Sequence, residues 1–157
     1  PRLVVPIFPE PFAVSRAAQK RVALVDALDE FDPASFPADL LVHLVWARCR
    51  SVTEALAATD LLARDANLGL VLLDLRHAPF RDLRRVPSTS WYRLQRAVEP
   101  TDTTLVIATP TACVPSAQLR LELPHSFSAD AFMRERPSLA AELSPVVRRQ
   151  RFHAAVG

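Results

Sequence analysis

Residues 69–79 read GLVLLDLRHAP. Leu70, Val71, Leu72, Leu73 and Leu75 are large and apolar, and one acid, Asp74, closes the run. An unbroken apolar run of this length fits a strand buried on both faces of a parallel sheet. Parallel strands cannot be joined by a hairpin; each pair needs a crossover, usually a helix. This stretch therefore directs the chain towards an α/β architecture with helices against the sheet. An acid at the carboxyl end of such a strand points into the crevice where open α/β sheets bind ligands. The plainer reading is an acid that ends a strand and meets water.

The flanking segments agree with this frame. PRLVVPI (1–7) reads as a short strand between prolines, and AVSRAAQK (13–20) as a helical turn or two. Val22–Val25 is a second buried strand, ending in Asp26, and Leu40–Trp46 is a third apolar run. Ser51 with Glu54 three residues on is a capping-box pattern. Val52, Ala55, Leu56, Thr59, Leu62 and Ala63 then recur at helical spacing, which predicts a helix over 51–66, ended by Asn67 and Gly69. RHAPFRDLRRV (76–86) reads as loop plus a short helix. STSWYRLQRAVE predicts a helix over 88–99, with Trp91, Leu94 and Val98 on one side and Pro100 as its stop. TTLVIAT (103–109) is another buried strand. AQLRLEL (117–123) alternates, as a half-exposed strand near a sheet edge does. Residues 128–143 read as helical with a break near Pro137, and VVRRQRF (146–152) as a last strand or a basic tail. The expected fold is one α/β domain over 1–157. Its mainly parallel sheet contains Val22–Val25, Leu40–Val45, Leu70–Leu73 and Leu105–Ala108, flanked by helices, with an antiparallel edge towards the C-terminus.

The chain has 157 residues, half of them hydrophobic, enough for one sizeable core. No apolar stretch approaches the roughly 20 residues that span a bilayer, so no membrane partner is expected. Cys49 and Cys113 form no CxxC pattern, which points to free thiols in a reducing compartment, the cytoplasm. There are only two glycines, Gly69 and Gly157. That excludes GxGxxG, GxxxxGK[ST] and GxSxG. His43, His77, His125 and His153 have no metal-ligand spacing, so no metal site is expected. The net charge is +2, but Lys20 is the single lysine.

Several local patterns invite a functional reading and a plain one. Arg76, Arg81, Arg84, Arg85, Arg93 and Arg96 lie in one segment with Trp91 and Tyr92. Arginines and aromatics can bind single-stranded nucleic acid by phosphate contact and base stacking; the alternative is a solvated face with Trp91 in the core. Arg148, Arg149 and Arg151 carry the same ambiguity. Cys49 lies between Arg48 and Arg50, which would lower its pKa if it were exposed; burial at a strand end is the alternative. Asp29 and Asp32 read as turn and capping residues rather than metal ligands.

Three stretches together resemble one family. VALVDALDEFDP is similar to the second core strand of the recombinase RecA, GLVLLDLRHAP to its Walker B strand, and WYRLQRAVEPTDTTLVIATP to the helix and strand that follow. The wording FDP, VWARCRSVTEAL, LVLLDLR, LRRVPSTSWYRLQRA and SAQLRLEL resembles the RecA-like proteins of the ImuA type and their SulA-like relatives. The likeness covers about residues 20–123. It implies a P-loop NTPase fold and a bacterial accessory role in the SOS response and DNA repair, beside RecA and an ImuB-like partner in translesion synthesis. It also makes Asp74 the Walker B position, the acid that helps hold magnesium in such folds.

Two departures qualify that likeness. The glycine-rich phosphate loop is missing, and residues 8–20, where it should lie, are too few for a strand, loop and full helix. Where the family has Asp-Ala-Glu this chain has Asp26-Ala27-Leu28, and leucine can neither accept a proton nor orient a water. No catalytic residue and no cofactor are therefore expected, and Asp74 becomes a vestigial position. Three readings stay open. One is a non-catalytic adaptor, able to oligomerise or touch single-stranded DNA. Another is an ATP- and magnesium-binding switch or weak ATPase whose P-loop lies outside this sequence. The last is a SulA-like inhibitor of cell division.

Overall fold

The computed structural model describes residues 20–124 and 127–151. The strand expected at 1–7, the helical turn after it, nearly all of the 8–20 region, His125 and His153 lie outside those residues. The described residues fall into two compact units, 20–116 and 117–151.

In the first unit the order is β1 (Arg21–Asp26), a 3-10 turn (Pro33–Ser35), α1 (Ala38–Leu41), β2 (Leu44–Arg48), α2 (Val52–Leu62) and β3 (Leu68–Asp74). Then come α3 (Phe80–Arg85), α4 (Ser88–Val98) and β4 (Thr104–Ala108). The four strands form one parallel sheet in the order β2-β1-β3-β4. The fold is α/β, as the apolar runs require. Strand β1 is central, and Val22, Ala23, Leu24 and Val25 are all buried, so both of its faces are covered. Val71, Leu72 and Leu73 do the same in β3. Helix α2 packs on β1 and β3 and against α4, and α4 reaches β4.

The apolar run 40–46 is not one strand. Its first residues belong to α1, which follows Pro37, and β2 begins only at Leu44. The cause is the partner strand. Leu44 to Arg48 pair with Val22 to Asp26, and upstream of that register β1 has almost no residues left to pair with. Helix α2 stops at Leu62 rather than running to residue 66. Asp65 then holds the turn by accepting from the backbone N–H and the amide of Asn67 at 2.9 and 2.8 Å. Gly69 is not a helix stop but lies within β3. A Cβ there would stand 3.1 Å from the Cβ of Lys20, closer than side chains ordinarily approach. On α4 the buried residues are Trp91, Leu94 and Ala97, with Ala97 in the place expected of Val98.

In the second unit β5 (Leu119–Glu122) pairs antiparallel with β6 (Val146–Gln150), so residues 146–150 are a strand. Between them come a 3-10 stretch (Ala129–Met133) and α5 (Arg136–Glu142). The antiparallel pair is a sheet of its own rather than an edge of the parallel one. The break in 128–143 falls before Arg136, and Pro137 sits in the first turn of α5, where the missing N–H has no helical partner to lose. No helix among the described residues is long and apolar enough to cross a membrane.

Candidate functional site

The chain leaves β1 towards β2 on one side and leaves β3 towards β4 on the other. Connections that diverge from adjacent parallel strands open a crevice at their carboxyl ends, the usual ligand position of open α/β sheets. Asp26 and Asp74 are register partners at that point. Asp26, Leu28, Glu30, Asp74 and His77 line the crevice, whose volume is about 10 Å³. That is room for about one water.

Asp26 is 3 % exposed. Its carboxylate accepts from the backbone N–H of Glu30 (3.0 Å) and of Phe31 (2.8 Å), and from Trp46 Nε1 at 3.4 Å. The loop after β1 is thus wound round a buried acid. Trp46 meets Phe31 edge-on at 5.2 Å between ring centroids, and Phe31 stacks on Phe36. Asp29 has a φ of 57°, in the left-handed region that aspartate tolerates better than most residues. Arg48 grips its carboxylate with two bonds of 2.6 Å and lies over the Trp46 ring. The Arg48 guanidinium holds the Asp29 carboxyl below its ordinary value. Asp32 caps the 3-10 turn, accepting from the Ala34 N–H at 3.0 Å and the Ser35 hydroxyl at 2.6 Å. Asp29 and Asp32 therefore do turn and capping work, and among the described residues no cluster is placed to hold a metal ion.

Asp74 is equally committed. One carboxylate oxygen accepts from the Arg76 backbone N–H at 3.1 Å. The Arg76 side chain grips both oxygens, with Nε at 2.9 and 3.1 Å and Nη2 at 2.6 Å. The Asp74 hydrogen bond holds Arg76 firmly cationic, and the charges of Asp74, Glu30 and Asp26 add to that. His77 Nε2 lies 3.2 Å from the Glu30 carboxylate. Leu28 contributes only an apolar wall.

A magnesium nucleotide does not fit these residues. Three carboxylates border the crevice against one guanidinium, and that guanidinium is bound to Asp74. Like charge would repel the phosphates. The N–H groups of Glu30 and Phe31 are turned onto Asp26. Both carboxylate oxygens of Asp74 accept from Arg76.

The arginine segment divides. Arg76 is held by Asp74. On α3, Arg84 lies over the Phe80 ring at 5.6 Å, Arg81 reaches Asp82 at 3.6 Å, and Arg85 is exposed. On α4, Trp91 is buried, so the plain reading of that tryptophan holds. Tyr92 is the exposed aromatic instead. It lines an open groove of about 430 Å³ with Thr89, Arg93 and Arg96, on one helical face. Arg93 also shares Asp60 with Arg64. The structure thus gathers Arg93 and Arg96 beside Tyr92, and places Arg81, Arg84 and Arg85 on the preceding helix. In the other unit Arg148 pairs with Glu122 at 2.5 Å across the ribbon.

Two further candidates resolve plainly. Ser51 caps α2 by accepting from the Glu54 N–H at 3.2 Å, while the Glu54 carboxylate reaches back to the Arg50 N–H at 2.9 Å, one residue beyond the usual box partner. Cys49 is buried, and that burial pushes its thiol pKa up, so Arg48 and Arg50 do not make it a reactive thiolate. Sequence reasoning missed the roles of Arg76, Trp46 and Arg48. Only the spacing Asp74-x-Arg76 carried any signal, a basic residue two positions past the strand end. A scan against protein-family models and a search of curated proteins each found no match for this chain.

Proposed function

We propose that this chain is a non-catalytic RecA-like adaptor of the ImuA and SulA-like group, acting in the cytoplasm in damage-induced translesion synthesis. Its partners in this reading are RecA and an ImuB-like polymerase. The observation that carries it is the closed pair of Asp74 and Arg76, which leaves the strand-end acid no oxygen facing a magnesium ion. Leu28 beside it supports the same conclusion. The ATP-switch reading requires Asp74 to be released from Arg76. Support for a partner surface comes from the β5–β6 ribbon, where Leu119, Leu121 and Val147 are 52 %, 53 % and 55 % exposed. Large apolar side chains gathered on one small element favour protein contact.

The test uses the full-length protein, tagged and expressed in cells with damaged DNA. Recovery of RecA or a Y-family-like polymerase is expected, and recovery of neither overturns the adaptor reading. The purified protein is expected not to turn over ATP. Turnover at RecA-like rates that disappears in Asp74→Ala would overturn the non-catalytic half. A lesser part of the proposal gives single-stranded DNA to Arg81, Arg84, Arg85, Arg93 and Arg96. Arg84→Ala with Arg85→Ala should weaken that binding and flatten its salt dependence; unchanged affinity removes the DNA claim.

A further inference from the structure

At the carboxyl ends of β1 and β3, against the strand-end acid Asp74, this chain carries a cation of its own. Arg76 lies two residues past Asp74, close enough for its backbone N–H and its side chain to bind the same carboxylate. Its side chain is 27 % exposed and that of Asp74 18 %, so the pair is set into the crevice rather than on open surface. Asp26 stands in register beside Asp74, and Glu30 borders the same space. Carboxylates bordering one crevice repel one another, and a positive charge among them offsets that repulsion. An open nucleotide site supplies that charge as magnesium. Here the guanidinium covers both oxygens of Asp74 and leaves about one water of room.

We infer that Arg76 is a built-in replacement for a divalent metal at the junction of β1 and β3, so that the crevice is closed to metal and holds its shape without one. The inference concerns charge balance at the crevice and stands whether or not the adaptor reading does. A tethered guanidinium keeps a fixed geometry and cannot be removed by a chelator. Its removal leaves Asp74 without its counter-charge, beside a crevice that a mobile cation can enter.

The test is manganese titration of the ¹⁵N-labelled full-length protein, read by paramagnetic broadening of backbone amides. This locates a bound ion without relying on activity. In the wild type no broadening is expected at residues 26–30 or 73–77. In Arg76→Ala, broadening centred on those two segments is expected, with a rise in melting temperature on adding manganese. Arg76→Lys keeps a positive charge in place and should behave as the wild type. Arg76→Ala with Asp74→Asn should lose the manganese response. Should Arg76→Ala fail to fold, Arg76→Gln is read in its place. Localised broadening of the wild type at 26–30 and 73–77 overturns the inference, as does a folded neutral variant that shows none.

Discussion

Asp26 is a buried carboxylate whose ligands all come from its own chain: two loop N–H groups and an indole. Its removal would leave the Glu30 and Phe31 donors facing a side chain that cannot accept. Asp26→Ala is therefore expected to cost about 2–4 kcal/mol of unfolding free energy, measured by urea denaturation. Asp29 allows a test of a different kind. Its folded pKa is lowered, chiefly by the hydrogen bond from Arg48. A carboxyl whose folded value lies below its unfolded one adds stability that is complete above the unfolded value and lost as pH falls through the folded one. Arg48→Gln should thus move the NMR titration of the Asp29 carboxyl up towards the ordinary aspartate range and flatten the acid limb of the stability curve. An unmoved titration would mean the two-bond grip does not persist in solution.

Helix α4 turns two adjacent aromatics to opposite fates. Trp91 is buried with Leu94 and Ala97, and its carbonyl accepts a buried hydrogen bond of 3.0 Å from Ser116. Tyr92, one residue on, is rotated about 100° round the axis and faces outward with Arg93 and Arg96. Truncating the first should leave a large void, and truncating the second almost none. Trp91→Ala is expected to lose about 3–5 kcal/mol, and Tyr92→Ala no more than about 0.5 kcal/mol, in thermal or urea unfolding followed by circular dichroism. Equal losses would refute the orientation of the helix. Sequence periodicity had already placed Trp91 on the apolar side. It could not separate Ala97 from Val98, because both lie near the edge of the same stripe and only the contact with the sheet and α2 chooses between them.

For the molecule as a whole, the parallel sheet and the antiparallel ribbon pose different energetic problems. The sheet is stabilised by its two central strands, β1 and β3, which are buried on both faces. A two-stranded ribbon is marginal in water without further packing, yet this one exposes Leu119, Leu121 and Val147. Leu121 and Val147 stand directly opposite each other across the strands. Replacing them together, Leu121→Glu with Val147→Lys, keeps a favourable cross-strand pair while removing the apolar surface. The double variant should change stability by less than about 1 kcal/mol and abolish the partner capture proposed above. Capture that survives the change would move the partner surface elsewhere.

The α/β class, the buried strands β1 and β3 and the two long helices were legible in the amino-acid order, because burial on both faces and helical periodicity each leave a local pattern; β2 and β4 are only half-buried. The Ser51 cap was legible too, as it needs only neighbouring residues. The start of β2 was not legible, since it depends on where β1 offers a partner to Leu44. Nor was the role of Gly69, which is set by Lys20 just before the adjacent strand. The largest gap was at Asp74. Its position at the end of a buried strand followed from sequence. Whether that carboxylate faces a ligand or an arginine is a matter of a few ångströms and of which loop folds back upon it. Strand order put Asp26 beside Asp74, and the turn after β3 brought Arg76 onto the same acid. Only tertiary structure could decide that, because the contact depends on torsion angles that no periodicity records.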